Sequence, residues 1–311
     1  MKSLKTLLTT ITSIIVIVVA LGSTLLAYAF ARDAALKLVE AELDATTVLS
    51  AKYIASEIDT DMGVLKALAL RDTLKDSSIP WNEKISDLNN VLDLDDSRLL
   101  YGIADTKGNA HLTNGEILDI SDEDYFRKAL KKQSFVTDPI ESSVFKGEMI
   151  IVYSTPVLSD NGNVVAVLFL EKNAKFLSER MNDVHVSDGA NLFMISTLTG
   201  NTVADGANYQ NVKSYQNIIN QTSSNKEYKG LSEQVTKMKN KENGVGTFKL
   251  EGETQIIGYE MVPNVVPGLD WSIACVAPLS DFTHEITLML ITMLVVAAIF
   301  IALGIFVALF L

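Results

Sequence analysis

Two long apolar segments without charged residues lie at the opposite ends of the sequence and restrict what the chain can fold into. Residues 7–30 and 286–311 contain no Asp, Glu, Lys or Arg. Each is longer than the roughly 20 apolar residues that a helix needs to cross the hydrocarbon core of a bilayer. Both segments are therefore predicted to be transmembrane helices, so the chain is expected to cross the membrane twice.

A cleaved signal peptide is the alternative for the first segment, because Lys2 and Lys5 give it a basic start. Its apolar run is longer than the roughly 7–15 residues of such peptides, which favours retention as an anchor. The positive-inside tendency then places residues 1–6 in the cytoplasm. Two crossings leave residues 31–285 on the outer side.

The predicted outer region is strongly acidic. It holds all 38 acidic residues of the chain and, with Lys2 and Lys5 excluded, 24 basic ones, a net charge of −14. Such a surface repels nucleic acid, so no nucleic-acid partner is expected. Cys275 is the single cysteine, which excludes an intrachain disulfide.

A helical pattern continues from the first apolar segment. From about Asp33 to Leu70 the chain has no proline and a 3.6-residue apolar period, which predicts a helix on the order of 55 Å long. The apolar stripe consists of Leu43, Ala51, Ile54, Ile58, Met62 and Leu65. A shorter helix is predicted over 81–92, so residues 31–97 are expected to form a membrane-rooted long helix and a helical connector.

Two similar hairpin turns indicate an internal repeat. Thr-Lys-Gly-Asn at 106–109 and Leu-Thr-Gly-Asn at 198–201 each close one strand and open another, with helices and further strands behind them. Strands are predicted at 99–104, 110–113, 147–158, 164–170, 191–196, 202–204, 244–250, 254–262 and 271–278, and helices near 213–220 and 231–240. This order predicts two antiparallel-sheet modules of α+β class, residues 98–185 and 186–285.

The stretch SDEDYFRKALKK, residues 121–132, predicts a helix after the first hairpin. Ser121 suits the N-cap, and Asp124 can complete a capping box. Acidic residues at the start and lysines at the end suit the helix dipole. Two interpretations stay open: a helix that only packs on the sheet, or a helix whose Tyr125 face forms one wall of a pocket.

These segments together resemble the double Cache domain, a PAS-like outer sensor of bacterial receptors. The resemblance covers about residues 31–285. It depends on the motifs at 121–130, 164–171, 244–248 and 267–272. Residues 191–205 and 238–259 also resemble the proximal modules of clostridial-type chemoreceptors. The resemblance implies a distal module (98–185) and a proximal module (186–285) outside a bacterial cell membrane. It also implies a homodimer, for which the apolar stripe of the long helix is the expected contact.

The resemblance also implies a ligand pocket over the distal sheet. It places Tyr125 at the aromatic position of the pocket helix and Glu171 at the acidic position that holds a ligand's ammonium group. Where amino-acid sensors of this family carry an arginine for the ligand's carboxylate, this chain has Glu123, which reverses the charge. After Asp138-Pro139, Ile140 replaces an aromatic residue. Both departures argue against an ordinary amino-acid ligand.

The candidate ligand-binding residues are Glu123, Tyr125, Arg127, Ser142, Ser143, Tyr153 and Glu171. Carboxylates and aromatic rings suit a cationic ligand through charge pairing and cation–π contact, and the serines supply hydroxyl donors. Arg127 would repel a cationic ligand if its side chain turned inward. It would have no effect on the pocket if it faced water. A small amine or another polar metabolite is therefore the expected ligand.

The implied function is the sensor region of a methyl-accepting chemoreceptor, which would reach cytoplasmic chemotaxis proteins through a region after residue 311. The alternatives are the input of a histidine kinase or diguanylate cyclase, or a membrane-anchored protein-interaction module. The three histidines are scattered and no nucleotide-binding or catalytic motif occurs. No enzymatic activity, cofactor or metal is therefore expected.

Overall fold

The longest element is helix α1, Leu4–Ala69, which is 66 residues long. The structure is a computed structural model that describes residues 4–92, 96–221 and 226–310. The predicted anchor and the predicted long helix are one continuous helix, because no proline occurs before Pro80. The prediction of a long helix at the start of the outer region is thus confirmed.

The apolar ends of the chain belong to one compact unit, Met1–Glu42 with Pro278–Leu311, and residues Leu43–Ala277 form a second. Two helices, Thr10–Ala69 and Leu279–Gly304, are long and apolar enough to cross a membrane. Large apolar side chains such as those of Leu26 and Phe300 are exposed in the protein. Such exposure is expected of side chains that face lipid rather than water.

The predicted strands are present, and the structure adds short helices and strands that the sequence did not indicate. The helices after α1 are α2 (Asp72–Lys75), α3 (Trp81–Leu92), α4 (Asp124–Leu130), α5 (Lys175–Asn182), α6 (Gln210–Lys213), α7 (Ile218–Gln221), α8 (Lys229–Lys239) and α9 (Leu279–Phe310). The strands are β1 (Arg98–Ala104), β2 (Asn109–Leu112), β3 (Ile117–Asp119), β4 (Phe135–Val136), β5 (Ile140–Glu141), β6 (Met149–Leu158), β7 (Val164–Asn173), β8 (Asn191–Ser196), β9 (Thr202–Asp205), β10 (Gly244–Leu250), β11 (Glu253–Met261) and β12 (Trp271–Pro278).

One predicted helix is wrong. Residues 213–220 do not form a single helix, because α6 ends at Lys213 and Tyr215 adopts a φ of 51°. A bulky residue in the left-handed region interrupts helical hydrogen bonding. Helix α7 then begins at Ile218.

Two sheets form the modules, as predicted. The distal sheet has the strand order β3-β2-β1-β7-β6-β4, with β5 also paired to β6, and the proximal sheet has the order β10-β11-β12-β8-β9. Helix α4 covers the distal core, where Phe126 packs with Val152 and Phe169. In the proximal core, Phe248 and Tyr259 pack with Val235 of α8. The α+β class with two antiparallel-sheet modules is confirmed.

The apolar stripe of α1 is buried by the two modules of its own chain. Leu43, Ile54, Ile58 and Leu65 have no exposed surface. A Cβ atom on Gly258 of β11 would lie 3.0 Å from the carbonyl oxygen of Leu43, so glycine lets the proximal sheet approach the helix. The expectation that this stripe is the contact for a partner subunit is therefore wrong.

A buried ion cluster joins α1 to the distal sheet. Asp61 Oδ1 lies 2.9 Å from Arg98 Nη2, and Asp61 Oδ2 lies 2.8 Å from Lys172 Nζ. All three side chains are at most 8% exposed. Arg98 and Lys172 are paired across β1 and β7, so the Asp61 carboxylate bridges two neighbouring cations.

Replacing Asp61 should destabilise the outer region more than an ordinary surface substitution does. Asp61→Asn removes the negative charge that both cations contact in this buried site, and removing one partner of a buried ion pair costs about 3–5 kcal/mol. The melting temperature of the chain in lipid nanodiscs is the measurement. Asp59→Asn, on the exposed side of the same helix, is the matched control. Equal melting temperatures for the two variants would contradict a structural role of the cluster.

Candidate functional site

The helix that was predicted to begin at Ser121 begins three residues later. Helix α4 starts at Asp124, and Glu123 occupies the cap position with extended backbone and no side-chain capping bond. Ser121 instead lies in a turn, where its N–H donates to Asp119 Oδ1 at 2.9 Å. Its backbone also lies against Gly108 of the first hairpin. The predicted capping box is wrong, because this turn fixes the chain before the helix starts.

Tyr125 of α4 and Glu171 of β7 lie together on the face of the distal sheet that α4 covers. The Tyr125 ring is tilted against Phe169, with 5.7 Å between ring centroids. Phe169 and Glu171 are two residues apart on β7, so their side chains project to the same face. Tyr125 is 4% exposed and Glu171 is 2% exposed. The structure therefore brings together the aromatic and acidic positions that the sequence indicated.

Tyr153 lies on the other face of the sheet. Cross-strand partners share a face, and the partner of Glu171 is Val152, whereas the partner of Tyr153 is Leu170. A register shift between Val157 and Leu158 causes this arrangement. If the register of the pair Leu158–Val164 continued without the shift, Glu171 would be opposite Ile151. Its side chain would then project to the same face as that of Tyr153. The structure thus does not bring Tyr153 to this site.

Ser142 forms hydrogen bonds both to Glu171 and to the backbone of the segment that follows it. The Ser142 hydroxyl donates to Glu171 Oε2 at 3.2 Å and accepts the N–H groups of Val144 and Phe145 at 3.2 and 3.0 Å. Its side chain is buried. Ser143 is exposed and does not join this group. One of the two predicted serines is therefore in contact with the acid.

Burial dominates the electrostatics of Glu171. Desolvation raises its pKa to about 7, the Ser142 hydrogen bond opposes the shift, and the negative charge of Glu123 adds to it. Burial also raises the pKa of Tyr125, with smaller contributions from Glu123 and Glu171. In the described ranges, Glu171 has no cation within ion-pair distance. The carboxyl group can therefore change its charge near neutral pH.

A cavity of about 400 Å³ lies near Glu123, and neither Tyr125, Ser142 nor Glu171 is among its lining residues. It is lined by Asp122, Glu123, Asp124, Arg127, Phe135, Thr137, Asp138, Ile140, Leu198 and Gly268. The last two residues come from the proximal module, so the cavity lies where the two modules meet. Arg127 is 51% exposed and pairs with Asp124 at 3.0 Å and Asp122 at 3.7 Å. Its charge is thus compensated at the cavity wall.

Thr137 connects this cavity to Glu171. The Thr137 hydroxyl accepts the N–H of Val152, and the Thr137 N–H donates to the Val152 carbonyl oxygen, both at 3.0 Å. Val152 is the cross-strand partner of Glu171. Phe135 and Ile140 are paired with Ser154 and Ile150, which face the same side as Val152. The cavity and Glu171 therefore lie on one face of the distal sheet.

Asp138 is a cavity residue that the sequence reasoning did not select. Its Oδ1 accepts the indole N–H of Trp271 at 2.7 Å, so Trp271 of the predicted proximal core also contacts the distal module. Burial raises the pKa of Asp138 against the hydrogen bonds from Ser196 and Trp271. In the sequence, the step Asp138-Pro139 is informative only through Ile140, the residue after it. In the described part of the chain, no group of three or more acidic, His or Cys side chains could hold a metal ion.

The two-module sheet on a long helix, with a partly acidic cavity over its distal half, defines a sensor domain of the Cache class. The family model described as "Cache domain", dCache_1, matches residues 31–286. The chain therefore belongs to this family. No curated protein matches the sequence.

Several solved structures share the fold. The ligand-binding domain of the Campylobacter jejuni chemoreceptor Tlp3, in complex with L-valine, has a TM-score of 0.57 at 14% identity, over 82% of this chain and 98% of that one. The ligand-binding domain of the Pseudomonas aeruginosa amino-acid chemoreceptor PctC, in complex with GABA, has a TM-score of 0.59 at 17% identity, over 77% and 99%. The extracellular domain of the putative histidine kinase mmHK1S-Z2 has a TM-score of 0.60 at 14% identity, over 80% and 98%. At these identities the likeness establishes the fold alone.

The stability of the domain should depend on pH through Glu171. Because its pKa is higher in the folded state than the ordinary 4.5, the folded chain binds this proton more tightly. The stabilisation is full below the unfolded pKa and is lost as pH rises through about 7. A shift of this size corresponds to on the order of 3 kcal/mol. The melting temperature of the wild type in nanodiscs should therefore fall between about pH 5 and pH 8.

The matched variant is Glu171→Gln, which keeps the shape and an acceptor for Ser142 but cannot ionise. Its melting curve should lack the part of the pH dependence that belongs to Glu171. Identical pH profiles for the wild type and the variant would mean that Glu171 does not titrate in this range.

Proposed function

We propose that this chain is the outer sensor region of a bacterial transmembrane receptor that binds a small cationic or polar metabolite in its distal module. The observation that carries the proposal is the buried carboxyl of Glu171. Its charge interacts with that of Glu123, which lines the cavity of about 400 Å³, and no cation pairs with it in the described residues. Desolvating a carboxylate without a partner is costly. A ligand that brings a positive charge removes this cost.

The charges around the site favour an amine over an α-amino acid. A ligand carboxylate would face Glu123, and Arg127 is already paired with Asp122 and Asp124. Tyr125 adds an aromatic ring next to the acid, which suits an ammonium group. The similar structures hold L-valine and GABA, so binding of small amino compounds is compatible with the fold. The departure at Glu123 supports the narrower ligand class for this chain.

Signalling requires that the ligand bind one conformation more tightly than another. Glu171 faces the ligand side of β7, and the next residue, Lys172, is bonded to Asp61 of α1 on the opposite face. A ligand that shifts β7 would therefore shift its attachment to α1. Helix α1, and β12 with α9, are continuous in sequence with the two candidate membrane helices. This continuity supports transmission towards the membrane.

We further propose that the receptor is a chemoreceptor of clostridial type in a bacterial cell membrane, with residues 31–285 outside, and that it is coupled to cytoplasmic chemotaxis proteins. We also propose that the protein is a homodimer and that it has no enzymatic activity. Its contact is expected at the exposed side of α1, where Leu49 is 66% and Tyr53 is 50% exposed. This side replaces the buried stripe that the sequence indicated.

A second candidate function is the input region of a histidine kinase. It is favoured by the fold similarity to the extracellular domain of mmHK1S-Z2, which has a TM-score of 0.60. Both receptor classes can use the same ligand site. Fusing residues 1–311 to a chemoreceptor signalling region and to a kinase region, and recording which fusion responds to ligand, distinguishes the two.

Amines should raise the melting temperature of the chain in nanodiscs at about pH 8, where Glu171 is ionised. Butylamine, ethanolamine and choline are suitable probes, with sodium butyrate as the anionic counterpart. Glu171→Gln should weaken amine binding by about tenfold or more, because it removes the charge. The affinity of the wild type should also fall as the pH drops below about 7, because the proton and the ammonium group compete for the same carboxylate.

Glu116→Gln is the control, since Glu116 is exposed in the turn between β2 and β3. It should bind amines as the wild type does. If butyrate stabilises the chain and none of the amines does, the cationic-ligand proposal is rejected.

A further inference from the structure

A buried lysine in the first turn of α3, Lys84, has no counter-charge in direct contact. It is 4% exposed, and in the described part of the chain no carboxylate lies within ion-pair distance of its Nζ atom. Burial lowers its pKa from 10.5, and Asp76 opposes the shift through its charge without accepting a hydrogen bond. The Nζ atom donates to the Leu74 carbonyl oxygen at 3.0 Å and lies 5.1 Å from the centroid of the Trp81 ring. An ammonium group has three donors, so these contacts leave it short of both partners and negative charge.

A purely structural role accounts for only part of this arrangement. Leu74 belongs to the last turn of α2, where lysine side chains commonly bond free carbonyl groups. Helix α2 is also attached to α3 without Lys84, because Arg71 Nη1 and the Thr73 hydroxyl donate to the two carboxylate oxygens of Asp87 at 2.7 and 2.9 Å. A carbonyl dipole does not neutralise a full charge, and a buried charge without a counter-charge is costly. The site therefore lacks an anion rather than a cap.

A cavity of about 100 Å³, called the α3 cavity here, borders this lysine. Lys75 and Ser77 supply a second cation and a hydroxyl group to its wall, and its lining residues include no acidic side chain. The other lining residues are apolar: Leu74, Ile79, Trp81 and Val165. Two cations and no acid are unusual in an outer region with a net charge of −14. The α3 cavity thus combines positive charge with apolar surface, which suits an anion that has an apolar part.

The α3 cavity is separate from the Glu171 site. The Trp81 ring is stacked on that of His111, with 4.7 Å between ring centroids and 10° between the planes. His111 is paired with Ile103, and Ile103 with Leu168 of β7, and cross-strand partners share a face. Leu168 is three residues before Glu171, so their side chains project to opposite faces. Trp81 therefore lies on the face of the distal sheet that is opposite Glu171.

The bulge in the β6–β7 hairpin brings β7 to the α3 cavity. Val157 is paired with Ala166 and Leu158 with Val164, so Val165 has no partner in β6. A bulge re-aims the side chain of the extra residue, and Val165 lines the cavity. A molecule in the α3 cavity would therefore contact both the connector between α2 and α3 and the strand that carries Glu171.

We propose that the α3 cavity binds a small carboxylate of about the size of acetate, held by the Lys84 ammonium group. One water molecule occupies about 30 Å³ of liquid, so the cavity has room for roughly three to four non-hydrogen atoms, and acetate has four. The carboxylate forms a charge-assisted hydrogen bond with Lys84, and the methyl group contacts the apolar lining. This site is independent of the proposed function, because it uses neither Glu171 nor the cavity of about 400 Å³.

The test compares acetate with acetamide, which has the same shape but no charge. Titration of the full chain in nanodiscs with ¹³C-labelled acetate at about pH 7 is followed by the NMR line width of the ligand, with empty nanodiscs as the blank. Acetate should bind about tenfold or more tightly than acetamide, because only acetate forms the ion pair. Butyrate should bind more weakly than acetate, because its two additional methylene groups exceed the volume of the cavity.

Lys84→Met tests the residue itself. Methionine keeps an unbranched side chain but has no charge, so acetate affinity should fall about tenfold or more. The melting temperature without acetate should not fall, because the variant removes a buried charge that has no counter-charge. Lys107→Met is the matched control, since Lys107 is exposed in the turn between β1 and β2, and it should bind acetate as the wild type does.

Equal affinities of the wild type for acetate and acetamide, or no binding of acetate, would overturn the inference. Acetate binding that is unchanged in Lys84→Met would overturn it as well. The comparison of the two ligands on the wild type needs no variant, so it decides the matter even if Lys84→Met fails to fold. None of these outcomes bears on amine binding at Glu171.

Tryptophan emission locates the bound acetate. The chain has two tryptophans, Trp81 and Trp271, so Trp271→Phe leaves Trp81 as the single emitter beside the α3 cavity. Acetate should change this emission with the same midpoint as in the NMR titration, and acetamide should not at equal concentration. Unchanged Trp81 emission at saturating acetate would show that the anion binds elsewhere and would reject the site.

Discussion

The two faces of β7 hold the distal module together and define what it can sense. Successive residues of a strand project to opposite faces, so Glu171 faces α4 while Lys172 faces α1. Lys172 is bonded to Asp61 in a buried cluster with Arg98, and Glu171 is bonded to Ser142 of the covering segment. One strand thus joins the ligand side of the sheet to the helix that leads towards the membrane. Any change in the position of β7 affects both attachments.

A bulge in β1 keeps the charges of these two faces apart. The register shifts between Arg98 and Leu100, so Arg98 is paired with Lys172 while Leu100 is paired with Glu171. In a regular strand Arg98 and Leu100 would project to the same face, which would place the guanidinium next to Glu171. The bulge instead turns Arg98 to Asp61. Glu171 is thereby left in apolar surroundings, which is why its pKa is high enough for a proton or a cationic ligand to control its charge.

The sequence predicted the fold well because its signals are local or repeated. The long helix has no proline, the two Gly-Asn hairpin turns mark corresponding strands, and the core positions of α1 follow a helical period. Tyr125 and Glu171 were found from a resemblance to family motifs, and their positions agree with one face of the sheet. The face of the sheet to which Tyr153 projects could not be predicted. The one-residue register shift between Val157 and Leu158 changes which residues of β6 and β7 share a face along the rest of the hairpin. Such a shift leaves no pattern in the sequence.

The role of Asp138 could not be predicted from the sequence either, because its hydrogen-bond partner is more than a hundred positions away. Trp271 reads as a core residue in the proximal repeat, and Asp138 reads as part of a turn before Pro139. Only the docking of the Pro267-Gly268 turn onto β4 brings the indole N–H to the carboxylate. The wall of the cavity of about 400 Å³ is therefore also a contact between the two modules. The Asp138 carboxylate lines the cavity and accepts the indole N–H of Trp271, the first residue of β12, and β12 continues directly into α9.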